Sequence, residues 1–261
     1  MGLHVYRPVL LHVLHEDDHD RRLEFCELFQ KMHVDHPNFI ANIIWSEEAV
    51  FKLNGTINRH NCVFYDVSNP HVRCLRTRGQ LTWSLCLGWC LVRRHNRTIL
   101  FPRNCNRWVL SCHAFHFLWP AVQHLAEDGL YFQQDGAQPH YSLIVREWLD
   151  NHFPNMWIGR RGPIDWPARF SDLTVPDFFL WGLLKNKVYG RNPRTMDDLK
   201  NAITEEIRSI SLDLVNKVCR PVLDRIKKCI EHDGHHFEHL LWTLSFFMIP
   251  RFGHYNLSKS F

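Results

Sequence analysis

The chain has 261 residues, of which 45% are hydrophobic, 13% aromatic and 22% charged, and its formal net charge is +4. That is ample apolar material for one sizeable core with helical appendages. The longest apolar run, at 81–92, is broken by Gly88 and flanked by Arg, which excludes a membrane span, and no secretory signal pattern is present. The nine Cys form no repeated CxxC pattern; Cys86 and Cys90 stand without a second pair, which reads as reduced, intracellular thiols. The charge is unevenly spread. Residues 67–126 hold eight Arg and no Lys, Asp or Glu, so the rest of the chain carries −4. One reading of that block is a nucleic-acid patch.

In chain order, residues 1–40 read as a lead-in. The span from Glu16 to Met32 predicts a helix, with Leu23, Phe25, Cys26, Phe29 and Met32 toward a core, acids in the first turn and His36-Pro37-Asn38 at its end. Residues 40–66 predict a β-hairpin. An apolar strand from Ile40 to Trp45 passes through Ser46-Glu47-Glu48 to Leu53, turns at Asn54-Gly55 and returns from Cys62 to Tyr65. Residues 72–118 fit neither the strand nor the helix period, with aromatic patches scattered among Arg and Cys.

A short β-rich run, Leu130-Tyr131-Phe132, then leads into Gln133-Gln134-Asp135, and Gly136 and Pro139 stop the strand. Asp135 therefore falls at a strand's C-terminal end, where ligands of open α/β sheets tend to sit. A helix follows, carrying Ile144, Val145, Trp148 and Leu149 at helical spacing. Further carboxylates, Asp172 and Asp177, arrive in SDLTVPDFFLW. Carboxylates delivered to one place by different elements suit divalent-metal phosphoryl transfer. Mg²⁺ takes hard oxygen ligands, and a metal pair clamps the attacking and leaving oxygens. On spacing alone, two Asp in loops are more often a cap and a turn.

Residues 183–240 read as helical. Thr195-Met196-Asp197-Asp198 looks like a capping box, ahead of a buried stripe at Leu199, Ile203, Ile207 and Ile210. A second helix is expected from Ser211 to Glu231, with Leu214, Val215, Val218, Val222, Ile226 and Ile230 inward and a kink at Pro221. His235 and His239 have the i, i+4 spacing of a zinc pair, without HExxH or an evident third ligand.

QQDGAQPH, WIGRRGPIDWPAR and SDLTVPDFFLWG, in that order, resemble the motifs of mariner-type DDE transposases, the RNase H-like nucleases and strand transferases of mobile DNA. Weaker matches extend over residues 1–66 and 120–240. The resemblance implies an α/β fold, an RNase H-like mixed sheet flanked by helices with a C-terminal helical pair. It divides the chain into a lead-in helix at 1–40, a DDE catalytic domain at 41–185, C-terminal helices at 186–240 and a tail at 241–261. It makes Asp135 and Asp177 the second and third catalytic carboxylates, with Asp172 outside the triad. The first falls at Glu47, where the family's SDEA motif has Asp. Ser171 replaces a usual Pro, and Pro176 comes one place late. The extra methylene of Glu47 moves its carboxylate by about 1.5 Å, and a misplacement of about 1 Å can lower a rate roughly a hundredfold.

The resemblance further implies a nuclear protein, with no membrane role, that cuts and rejoins transposon DNA ends. Mg²⁺ or Mn²⁺ would be held by Glu47, Asp135 and Asp177, no covalent protein–DNA intermediate would form, and a homodimer is compatible with it. The two helix-turn-helix modules of the family find no match here. Glu47, those modules and the 72–118 block favour an alternative, a catalytically dead transposon-derived remnant with at most nucleic-acid binding. A zinc hydrolase built on the His cluster is a further alternative.

Read one base out of step, the codons of HNRTILFPRNCNR, His95 to Arg107, can spell Ile-Ile-Gly-Pro-Tyr-Phe-Ser-Pro-Gly-Thr-Val-Thr-Gly. That is a strand-and-turn text resembling the family's at this point. A frameshift over residues 73–116 is the resulting expectation: the Arg become an accident of reading frame, the middle of the sheet is disrupted, and no strand register forms there.

Overall fold

The structure is a computed structural model that describes residues 4–6, 13–53, 64–66, 83–91, 96–101, 119–120, 122–123 and 129–237. Its centre is a long strand, β2 (Ile43–Lys52), preceded by β1 (His4–Tyr6) and followed by β3 (Phe64–Asp66), β4 (Trp83–Leu91), β5 (Asn96–Phe101), β6 (Tyr131–Gln133) and β7 (Trp157–Ile158). The main sheet runs β5-β4-β2-β6-β7. β4 and β5 are antiparallel additions on one side of β2, whereas β6 lies parallel to β2 and β7 parallel to β6. Parallel neighbours need long crossovers. The connection from β6 to β7 is made by α2 (Leu143–His152).

β2 forms because β-branched and aromatic residues alternate inward along it. Ile43, Trp45, Ala49 and Phe51 are all at most 3% exposed. They face two apolar clusters. The first joins Trp45 to Phe25 and Phe29 of α1 (Glu16–Asp35), and to Ile158, Leu173, Val222 and Ile226. The second joins Ala49 and Phe51 to Trp181 and Leu184 of α3 (Trp181–Gly190) and to Leu199 and Ile203 of α4 (Met196–Arg208). Full burial of one such side chain contributes about 1.5–3 kcal/mol. The chain closes with α5 (Leu212–Cys219) and α6 (Pro221–Glu231), the latter lying against α1.

Local chemistry sets the helix ends. Thr195 Oγ1 accepts the Asp198 N–H and Asp198 returns the bond to the Thr195 N–H, both at 3.0 Å. Pro221 divides the last helical region into α5 and α6 by taking the first position of α6, where its missing N–H costs nothing. α1 is fixed by charge as well as by packing. Arg22 is completely buried and donates to both oxygens of Asp172, at 3.1 and 2.7 Å, to Gly234 O at 2.7 Å and to Arg169 O at 3.2 Å.

Four expectations change. The return strand of the predicted hairpin, now β3, pairs with β1 in a separate two-stranded sheet. β2 takes β4 instead, over nine residue pairs, which satisfies far more of its edge than a short return strand could. Asn54-Gly55 lies outside the described residues. Next, the segment expected to lack register supplies β4 and β5, themselves paired over six residues. Backbone pairing requires no side-chain period, and Trp, Leu, Cys, Thr and Ile all suit a strand. The expected absence of a buried face there concerns side chains outside the described residues. On α2, Val145 and Leu149 are buried but Ile144 is 62% exposed. Finally, α6 ends at Glu231, so His235 does not sit on a helix; its ring stacks on His19 at 3.9 Å, and His239 lies outside the described residues.

Candidate functional site

Between Trp45 and Ala49, the inward stripe of β2 is interrupted by one carboxylate, Glu47. It lies where the two apolar clusters meet, a costly place for a charge unless function requires it. The parallel register pairs Trp45 with Gln133. Glu47 lies two residues further along β2, and Asp135 lies two residues past the end of β6, in the turn that follows it. Buried glutamines brace this junction. Gln133 Oε1 accepts the Ser46 N–H at 3.3 Å, and Gln134 Nε2 donates to His140 O at 2.8 Å.

Asp135 is oriented by the turn that follows it. Its Oδ1 accepts the Ala137 N–H at 3.0 Å and also meets His140 Nδ1. The third carboxylate stands on a π-turn, Pro176–Leu180, in which the Trp181 N–H reaches back to Pro176 O. Such turns recur at functional sites. Thr174, fully buried, donates Oγ1 to Asp177 Oδ2 at 2.8 Å.

The three side chains interact. Asp177 is hydrogen bonded to Glu47 and repelled by the charge of Asp135. Burial is the main reason that the Asp177 carboxyl lies above its ordinary range; Asp135 adds to this, while Thr174, Glu47 and Lys185 oppose it. Lys185, two helical turns past Asp177, has its ammonium 5.8 Å from the centre of the Phe51 ring. Burial lowers its pKa first and Lys52 adds to that, against the pull of Asp177.

All-oxygen donors of this kind suit Mg²⁺ or Mn²⁺. As they stand, no three His, Cys, Asp or Glu side chains among the described residues form a group able to hold an ion. The three carboxylates are nonetheless oxygen donors of the kind such an ion takes, and Asp177 interacts with Glu47. Asp172 belongs elsewhere, in the buried pair with Arg22. Sequence reasoning missed Thr174, His140 and Lys185. Spacing alone hinted at two of them, Thr174 three residues before Asp177 and Lys185 eight after it.

No family model matches the chain. The Tc1 transposase of the transposable element Tc1 from Caenorhabditis elegans is 26% identical to it over 107 residues, 41% of this chain. The match spans 36% of that relative's length. Among solved structures, the Mos1 transposase paired-end complex with left transposon end superposes with a TM-score of 0.68 at 17% identity, covering 89% of this chain and 67% of that one. The catalytic domain of Mos1 mariner transposase gives 0.66 at 16% identity, covering 88% and 100%. The same domain with Raltegravir and Mn gives 0.66 at 16% identity, covering 87% and 99%. The chain thus has the fold of the Mos1 catalytic domain, an RNase H-like mixed sheet with flanking helices, and is similar to Tc1/mariner transposases.

Proposed function

We propose that this chain is the catalytic segment of a Tc1/mariner-type transposase, which cleaves and rejoins transposon DNA ends by metal-assisted phosphoryl transfer. The observation that supports the reading is the interaction of Asp177 with both Glu47 and Asp135, in a chain with the fold of the Mos1 catalytic domain. Glu47, Asp135 and Asp177 would hold Mg²⁺ or Mn²⁺. When bound, such ions make a water or a 3′ hydroxyl a stronger nucleophile and stabilise the leaving oxygen. The chain's own residues prepare the site. The Ala137 N–H and His140 fix one oxygen of Asp135, Thr174 fixes one oxygen of Asp177, and Lys185 offsets part of the negative charge. Preorganisation of this kind keeps donors within the narrow tolerance that Mg²⁺ demands. DNA is the partner, the nucleus the place of action, and a homodimer the assembly to look for by sedimentation.

Purified protein is incubated with a transposon-end duplex in Mg²⁺ or Mn²⁺, and nicks are counted. Wild type should nick, and Asp135→Ala should not. Equal nicking by both would refute the site. The absence of nicking by wild type would favour the second reading, a catalytically dead remnant. That reading has its own support in Glu47, whose carboxyl is committed to Asp177.

A further inference from the structure

Three carboxylates repel a polyanion, so the strand to be cut needs a cationic hold close by. The turn after β7 provides one. It is closed by the Gly162 N–H donating to Gly159 O at 3.0 Å, and Gly162 is pressed against Trp157, with the site of an added Cβ only 2.6 Å from the ring. Within it Arg161 adopts a left-handed backbone with φ of 62°, held by its N–H donating to the Asp165 carboxylate at 2.7 Å. This turn sets two exposed arginines side by side on one aromatic ring. The guanidinium carbons of Arg160 and Arg161 lie 4.2 and 5.5 Å from the centre of the Tyr141 ring. Neither is ion-paired with a carboxylate among the described residues. The Arg160 stem runs over Gly136, about one van der Waals contact from the residue next to Asp135, with 3.5 Å between the site of a Cβ on Gly136 and Arg160 Cβ.

Stability does not account for this arrangement. An exposed cation–π contact is only weakly stabilising, and a left-handed backbone is strained for a non-glycine residue. Two like charges on one ring repel each other besides. Arginine, by contrast, is the side chain best shaped for bidentate contact with phosphate, and an aromatic ring beside it offers a face for a base.

We propose that Arg160, Arg161 and Tyr141 form a phosphate-binding ledge that holds the DNA strand alongside Asp135. The ledge deepens the transposase reading and rests on it for the identity of the strand. It acts through binding, so it is tested apart from cleavage. Binding of a fluorescent DNA duplex is followed by anisotropy in EDTA across a salt series. For wild type, log K should fall linearly with log salt. The double variant Arg160→Gln, Arg161→Gln should bind roughly tenfold more weakly and lose about 1 from the salt slope for each arginine. Arg160→Lys with Arg161→Lys should keep the slope, and Tyr141→Phe should bind as wild type. An unchanged affinity and slope in a folded Gln double variant overturns the ledge. Should that variant unfold, phenylglyoxal labelling of wild type decides: DNA must protect Arg160 and Arg161, and full labelling in its presence overturns the proposal. Loss of nicking with the slope effect intact strikes only the catalytic reading. Nicking with no slope effect strikes only the ledge.

Discussion

Asp172 is the acidic residue of SDLTVPD that carries no catalytic expectation, and its cost of removal can be worked out from its surroundings. Its carboxylate is 4% exposed and takes both terminal nitrogens of Arg22, itself 0% exposed. Deleting either member leaves the other charge buried and alone. For such a pair the loss is about 3–5 kcal/mol. Asp172→Ala should lose that much in urea unfolding, with m unchanged, and Arg22→Met should lose more, because it also takes the donor from Gly234 O and Arg169 O. The double variant should lose far less than the sum, since no charge is stranded. It will not return to wild type, because Arg22 also satisfies Gly234 O and Arg169 O. Each buried acceptor left without a donor costs about 1–3 kcal/mol. The coupling between the two sites should therefore be at least about 2 kcal/mol, well beyond the roughly 0.5 kcal/mol within which independent sites add. Additive losses would refute the account of Asp172 as one half of a buried pair that ties α1 to the loop before Asp177.

The other expectations concern the carboxylates directly. Glu47→Asp should raise nicking above wild type, because the shorter side chain withdraws from Asp177; an unchanged or lower rate means that Glu47 is no impairment. Mg²⁺ at a hundred times its Kd should stabilise wild type by about 2.7 kcal/mol, and Asp177→Asn should abolish the shift in melting temperature, while an equal shift in both places the ion elsewhere. Asp18 is held below its ordinary pKa, first by its hydrogen bond from Arg169, so its contribution is present above 3.8 and is lost as pH falls through the folded-state value. The stability difference between wild type and Asp18→Asn should accordingly shrink on acidification and stay flat above about pH 5; a difference that grows in acid contradicts this.

What could be read from the sequence was what a short stretch decides by itself. Thr195 and Asp198 cap a helix whatever surrounds them, and Pro221 ends one. Asp135 follows a β-rich run that its own Gly136 and Pro139 terminate. The partner of a strand is a different kind of fact, since it depends on every other strand in competition for the same edge. The strand through Ser46-Glu47-Glu48 was legible, and it runs from Ile43 to Lys52, but its neighbours were not. It makes nine pairs to β4 and parallel pairs to β6, and both partners lie far along the chain. Arg22 was hidden for a related cause. A charge on an amphipathic helix is ordinarily solvated, and its counter-charge stands 150 residues away. The same distance effect explains the site. Three acids could be named as candidates one motif at a time. That the second falls just past the end of β6, the parallel neighbour of the strand that carries the first, and that the first touches the third rather than standing apart from it, follows only from β2 running unbroken through Glu47. The polar interruption of the strand is thus the feature that puts a carboxylate between two apolar clusters, where Asp177 can reach it.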